Sequence, residues 1–444
     1  DNFWLLYAAS LVFLMQAGFC LLEAGSVSIR NHKNILLKNL LDASLGALTF
    51  YVIGYAFAFG EGNNMAGNKN FALGADYTRF TDSPAGYNGT EYALWFFQFA
   101  FAATAATIVS GAIAERCLFR AYLVYSIVLT GFIYPIVVHW GWSAEGWASS
   151  FKDTDRDGLL FDTGVVDFAG SGVVHMTGGI AALVASIVIG PRVGRFNDDG
   201  SVNPMHESNP VLQALGTFIL WFGWYGFNSG STLLVSGGFS DVAAKVAVTT
   251  TLSAAAGCVT SFSVEALLSK EKSLGAALNG VLGGLVSITA GCSVVEPEIA
   301  IVIGILGALV YQGSSRLLLR LKIDDVVNAS PVHAFCGAWG VLAAGLFANE
   351  KNYRAAYFAY EEDPVCGWFM GCDGKLFAAN LVFVLAIIAW VGGTCTILFL
   401  FLKHVVGFRV PSEVEADGLD TSEHGGRAYS EMLQLQTPKA SKEE

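Results

Sequence analysis

The chain has 444 residues, of which 54% are hydrophobic and only 14% charged, far below the roughly one-quarter charged share of a soluble domain, and its mean hydropathy is +0.52. A formal net charge of −12 argues against nucleic acid, whose phosphates call for basic surface. Eight cysteines stand singly apart from Cys366 and Cys372 in one loop. No pair has zinc-ligand spacing, so most read as small buried hydrophobes, and the loop pair closes a short disulfide if its loop is extracytoplasmic.

The chain opens on Phe3-Trp4-Leu5-Leu6 with no basic n-region and no small-residue cleavage site, and reads as starting at a first span. Apolar runs long enough to cross a bilayer recur along nearly the whole length. Spans are expected near 3–24, 34–60, 93–114, 119–142, 165–190, 210–235, 240–268, 275–293, 298–320, 332–349 and 375–406. The expectation is an all-α polytopic membrane protein of about eleven transmembrane helices, residues 1–406, followed by a tail, 407–444. An odd count puts the termini on opposite sides. Arg30, Lys33, Lys38, Arg116, Arg120, Arg192, Arg195, Lys270, Lys272, Arg316, Arg320, Lys322, Lys403 and Arg409 fall on one set of joints, against Lys69, Arg79, Lys152, Arg156, Lys351, Arg354 and Lys375 on the other. The positive-inside rule then places the N-terminus outside and the tail in the cytoplasm, with the plasma membrane the expected location.

Outside, on this assignment, lie the sequon Asn88-Gly89-Thr90 and the acidic loop 152–158. Asp155, Asp157 and Gly158 match part of a calcium loop but lack its spacing and closing glutamate, so the loop reads as solvated surface. Glycines recur within spans, as from Gly275 to Gly291 and in Gly337-Ala338-Trp339-Gly340, and small residues of this kind let helices approach closely. Glu23 and Asp42, near cytoplasmic helix ends, read as caps or as partners of Lys38 or Arg30. Lys245 reads as a snorkelling lysine and Glu265 as a group near the inner face.

Two histidines carry the strongest signal. His175 sits in Asp167-Phe168-Ala169-Gly170-Ser171-Gly172-Val173-Val174-His175-Met176-Thr177-Gly178-Gly179, and His333 lies in a similar apolar setting. Ionisable groups inside a span are costly and mark functional sites by default. Val174-His175 is followed by Gly179 and Leu183, and Val332-His333 by Gly337 and Val341, at the same offsets of four and eight. Gly18-Phe19 before Gly25-Ser26 echoes Gly226-Phe227 before Gly230-Ser231. These copies are five spans apart and so run in opposite directions, the plan of a 5+5 inverted repeat with a final added helix and a path near the midplane. The two imidazoles would meet at the pseudo-twofold axis and share one proton. Neither has a Cys, Glu or second His at helical spacing, so a metal or haem is not expected. Asp167, eight residues earlier, reads as a helix cap that shapes the site rather than as a ligand.

The aromatic runs Phe96-Phe97-Gln98-Phe99-Ala100-Phe101, His139-Trp140-Gly141-Trp142 and Trp221-Phe222-Gly223-Trp224-Tyr225-Gly226-Phe227 lie at outer span ends. For most of these residues an interfacial belt suffices. Aromatic faces from three spans together with a serine hydroxyl also suit a cation-π cage for a small ammonium-like cation.

At this point the sequence resembles the ammonium transporter (Amt/Mep/Rh) family, nearer its Amt branch, across almost its whole length. The motifs are Asp167-Phe168-Ala169-Gly170 with Val173-Val174-His175, Gly223-Trp224-Tyr225-Gly226-Phe227-Asn228-Ser229-Gly230-Ser231, Gly111-Ala112-Ile113-Ala114-Glu115-Arg116 and Val332-His333-Ala334-Phe335-Cys336-Gly337. The resemblance implies a recruitment site at Phe101, Trp142 and Ser231, a gate of Phe101 and Phe227, and a pore lined by His175, His333 and Trp224, with Asp167 structural. It also implies a homotrimer with one pore per subunit, ammonium or methylammonium as substrate, and neither enzymatic activity nor a cofactor. The tail Gly418-Leu419-Asp420-Thr421-Ser422-Glu423-His424-Gly425-Gly426-Arg427 resembles the family's regulatory segment, with Thr421 or Ser422 as a kinase target; charge alone would make this tail disordered.

The expected mechanism is recruitment at the cage, deprotonation near the gate and passage of ammonia through a dry pore, the proton following the histidines. The alternatives are an ammonium sensor signalling through the tail and a neutral-gas channel.

Overall fold

The computed structural model describes residues 1–74, 89–152, 158–205, 207–357 and 365–429. Among them nine helices are long and apolar enough to cross a membrane: α1 (Asn2–Ser26), α2 (Ile29–Phe59), α3 (Gly89–Ala112), α4 (Phe119–Trp142), α5 (Ser171–Ile189), α7 (Phe239–Ser269), α9 (Pro297–Arg320), α10 (Ser330–Phe347) and α11 (Lys375–Val406). Two more, α6 (Pro210–Ser229) and the 16-residue α8 (Leu274–Thr289), fill the remaining expected positions. The chain is an all-helical, polytopic integral membrane protein. Cys366 and Cys372 form a disulfide. Asn88 of the sequon and Asp155 and Asp157 lie outside the described residues.

Local sequence explains the helix starts that matter here. Asn209 caps α6 by accepting from the backbone N–H groups of Val211 and Leu212, with Pro210 at the first position, where its missing N–H costs nothing. Ser273 caps α8 through the Ala276 N–H. Helices α1 and α6 pack through bare backbone. A Cβ on Gly216 would stand 2.5 Å from Leu22 N, and one on Gly25 would stand 2.6 Å from Asn209 O.

Two expected spans are shorter than the hydropathy suggests. Residues 165–170 are not helical, because Gly170 adopts φ 99° and breaks the segment before Ser171; Asp167 therefore precedes the helix. Helix α6 ends at Ser229, and Ser231 sits in a following 3₁₀ turn, Gly230–Thr232. Gly170 thus delays the start of α5, whereas after α6 the chain tightens through Gly230, which keeps helical dihedrals, and leaves the helix at Leu233, φ 58°.

The charged groups of the membrane interior also differ from expectation. Glu23 and Asp42 pair with neither Lys38 nor Arg30. Glu23 accepts from Asn39 Nδ2 at 2.7 Å and shares a hydrogen bond with Ser110 Oγ, and Asp42 accepts from Thr107 Oγ1 at 2.8 Å and from Ser126 Oγ. Their partners come from α2, α3 and α4, which surround the carboxyls, while Lys38 turns to Cys117 O at 2.9 Å and Arg30 to Ala416 O at 2.8 Å. Lys245 lies 4.0 Å from Glu296, and Glu265 binds Arg316 at 2.7 Å.

On the face opposite the N-terminus, residues 407–429 are folded onto the bundle, against the expectation from charge. Asp420 accepts from the backbone of Lys33 and Asn34 at 3.1 and 2.9 Å, and Leu419 N donates to Asn31 Oδ1 at 2.8 Å. The carboxylate thus meets free donors in the first turns of α2, where negative charge is favoured. Thr421 and Ser422 are exposed.

Candidate functional site: a column of stacked rings

Near the face that carries the N-terminus, a cavity of about 290 Å³ is lined by Phe59, Phe97, Gln98, Phe101, Trp142, Phe168 and Ser231 among others. Helix α3 supplies Phe101, the end of α4 supplies Trp142, and the turn after α6 supplies Ser231. Trp142 is held edge-on to Phe101, with ring centroids 5.9 Å apart, by the bond from its Nε1 to Asp167 O at 2.8 Å. Ser231 Oγ donates to Phe227 O at 2.8 Å, so its only proton is committed and its lone pairs remain free to accept. Aromatic faces and one acceptor are what a small N–H cation needs in place of lost water.

The floor of this cavity is closed. Phe101 and Phe227 are fully buried and stacked, with centroids 4.1 Å apart and planes at 27°. The column continues beneath them: the His175 ring lies 5.3 Å from Phe227 and 5.0 Å from Trp224, nearly parallel to both. Trp224 is anchored by its bond to Thr289 Oγ1 at 2.9 Å. The two histidines meet, Nδ1 to Nδ1, at 3.2 Å. Two neutral imidazoles can make that contact only if one donates and the other accepts. Whichever donates, its own Nε2 is left an acceptor and its partner's Nε2 carries a proton. His175 Nε2 is buried with no hydrogen-bond partner among the described residues.

Both histidines ride on a π-helical turn, Ser171–Met176 and Ser330–Phe335, at the start of α5 and α10. Such turns leave backbone donors to be satisfied. Asp167 Oδ2 accepts from the N–H groups of Gly172 and Val173 at 3.0 and 2.8 Å. The counterpart is Asp325, whose two oxygens accept from Ala329 and Ser330 at 2.9 and 2.6 Å. Sequence reasoning missed Asp325, yet it stands eight residues before His333, as Asp167 does before His175. It also missed Gln98 as a cavity residue, which nothing but its place one turn before Phe101 marks.

Fold and site together define a helical membrane protein with an aromatic-lined cavity above a buried column of rings that contains a hydrogen-bonded histidine pair. The comparisons then identify the family. Residues 3–429 match the Ammonium Transporter Family, and the chain belongs to it. It is 47% identical over 416 residues to putative ammonium transporter 1 member 5 of Arabidopsis thaliana, covering 91% of this chain and 81% of that protein. It is 45% identical over 438 residues to ammonium transporter 1 member 3 of Solanum lycopersicum, covering 96% and 92%. Among solved structures it resembles a sensor Amt protein, with TM-score 0.81 and 34% identity over 95% of this chain and 98% of that one. It also resembles Candida albicans Mep2, with TM-score 0.80 and 26% identity over 93% and 86%.

Proposed function

We propose that this chain transports ammonium across a membrane, with recruitment at Phe101, Trp142 and Ser231, loss of a proton near the gate formed by Phe101 and Phe227, and passage of ammonia beside Trp224, His175 and His333. The observation that carries this reading is the continuous column from Phe101 through Phe227 and His175 to His333, ending in an unpartnered Nε2 on His175. A bare cation between these rings would be costly to desolvate, so giving up a proton above them is the cheaper route. Potassium has no proton to give, and selectivity follows without a ring of filter carbonyls. The shared Nδ1 proton lets one histidine take up a proton as its partner releases one. Asp167 and Asp325 hold the two turns in place and touch no substrate.

In this reading α6 and α8 also cross, giving eleven spans, with residues 1–406 forming the conducting domain and 407–444 a cytoplasmic regulatory tail. The N-terminus faces outward, the protein resides in the plasma membrane as a homotrimer, and a kinase acts at Thr421 or Ser422. The test is ammonium-evoked current in proteoliposomes, with and without His175→Ala. A saturable current that His175→Ala abolishes or opens to potassium supports the mechanism. Flux without current assigns a neutral-gas channel, and ammonium binding without flux assigns a sensor.

A further inference from the structure

The pore mechanism leaves unused a second polar chamber inside the bundle, between α1, α2, α3 and α4. It holds two carboxyls, Glu23 and Asp42, 2% and 0% exposed. It adjoins the pore wall: Phe19, whose ring lies 6.2 Å from His333, is followed one turn later on α1 by Glu23. No ion pair joins either carboxyl among the described residues, since Lys38 spends its ammonium on Cys117 O at 2.9 Å. Two bare anions buried together are among the costliest arrangements a membrane interior can hold.

The hydrogen count shows how that cost is relieved. Ser110 Oγ touches two acceptors, Glu23 Oε1 and, at 2.8 Å, the carbonyl of Thr107. A hydroxyl has one proton. Both contacts are hydrogen bonds if Ser110 donates to the carbonyl while Glu23 itself supplies the proton to Ser110. Asn39 Nδ2 donates to the other oxygen, Glu23 Oε2, at 2.7 Å, which leaves Oε1 as the protonated atom.

A second observation points the same way. The hydroxyls of Tyr122 and Tyr125, both fully buried, complete no hydrogen bond among the described residues, although Tyr122 faces Ser110 and Tyr125, and both interact electrostatically with Glu23 and Asp42. Asn39 Oδ1 is likewise buried and unpartnered among the described residues. Polar atoms left so in a native interior ask for a ligand, and water with an exchangeable proton fits two carboxyls and two phenols.

We infer that the Glu23–Asp42 chamber is a buried proton-binding site, in which Glu23 is held as the neutral acid, its Oε1 proton donated to Ser110 Oγ, with water completing the shell. On release, the proton passes from Glu23 Oε1 to that water and Ser110 turns its own proton from Thr107 O to the new carboxylate, so a single rotation accommodates the charge. The titratable groups facing the site are Cys20 from α1, Lys38 and Asp42 from α2, and Tyr122 and Tyr125 from α4, with Cys117 and Glu423 of the tail facing Lys38. The site does not depend on the transport reading, because it is defined at equilibrium without substrate.

Infrared difference spectroscopy of the full chain in lipid vesicles at neutral pH, without ammonium, tests it. The wild-type minus Glu23→Gln spectrum is expected to contain a protonated-carboxyl C=O band that moves in D₂O. Ser110→Ala, which keeps Glu23 and removes only its hydrogen-bond acceptor, is expected to shift that band without abolishing it. Absence of the band from the difference spectrum, or a band that Ser110→Ala leaves in place, overturns the assignment. The Ser110→Ala arm stands even if Glu23→Gln fails to fold.

Discussion

Gly179→Ala tests whether the two histidines are positioned by the crossing of their helices. Gly179 lies four residues after His175, and a Cβ there would stand 2.1 Å from Ala334 N, 2.6 Å from His333 C and 2.8 Å from Ala334 Cα. All three are backbone atoms of the turn that carries His333, so no flexible side chain can yield. Restoring ordinary contact requires the turn to retreat by about 1 Å, and overpacking of this kind costs roughly 1–3 kcal/mol. The Nδ1 to Nδ1 contact is 3.2 Å and fails beyond about 3.5 Å. The methyl group therefore breaks the histidine pair without touching either imidazole. Expressed at wild-type level, the variant should lose most ammonium-evoked current or uptake, whereas Gly313→Ala, where nothing lies within 4 Å, should be silent. Wild-type transport in Gly179→Ala would refute the argument.

Ser231→Ala removes the single hydroxyl acceptor of the vestibule, a bond to a charged donor worth about 1.5 kcal/mol, so half-saturation of the current should rise roughly tenfold with little change at saturation. Asp324 is an anchor on the tail face, bound to Arg192 Nε at 2.8 Å and Nη2 at 3.0 Å. Burial alone would raise its pKa, but Arg192 and Arg116 overcome that and hold it at about 2. Its contribution is present above the ordinary value of 3.8 and is lost as pH falls toward 2. Asp324→Asn leaves Arg192 with Glu115 as its remaining carboxylate and should lower stability by about 1–3 kcal/mol, read as a fall in the melting temperature of the detergent-solubilised protein. In the tail, His424 Nε2 and Asn34 Nδ2 stand 2.8 Å apart, and the neutral ring accepts that bond. Burial lowers the pKa of His424 from 6.5; the docked tail binds fewer protons than the free one, so docking is fully present above that value and weakens as pH falls below it. Proteolytic release of the tail should accelerate on acidification in the wild type and not in His424→Gln.

Much of this architecture was legible because a bilayer leaves few options. Once the backbone must satisfy itself, apolar runs become helices, and an imidazole inside one demands a reason. What the sequence did not show was where helices stop and who neutralises whom. Asp167 and Ser231 lie in apolar surroundings that hydropathy extends into spans, yet α5 starts only after Gly170 and α6 gives way to a 3₁₀ turn at Gly230. Glu23 and Asp42 were matched to charges near them along the chain, but the hydroxyls that reach them belong to α3 and α4, tens of residues away. Charge alone misleads about the tail for the same reason: its acidic groups look solvated until the free donors at the start of α2 are placed against them.

The offsets from each histidine turn out to be one device used twice. Four residues after His175, Gly179 meets Ala334, the residue after His333. Four after His333, Gly337 meets Met176, the residue after His175, where a Cβ would lie 3.2 Å from its backbone nitrogen. Eight residues before each histidine an aspartate closes the π-helical turn. Each half therefore supplies the carboxylate that fixes its own turn and the bare backbone against which the other turn rests. Neither imidazole can shift alone, because moving one turn presses on the helix that carries the other. A passage that hands a proton between two rings needs their separation fixed more than it needs either ring's own position, and reciprocal packing about the axis provides that.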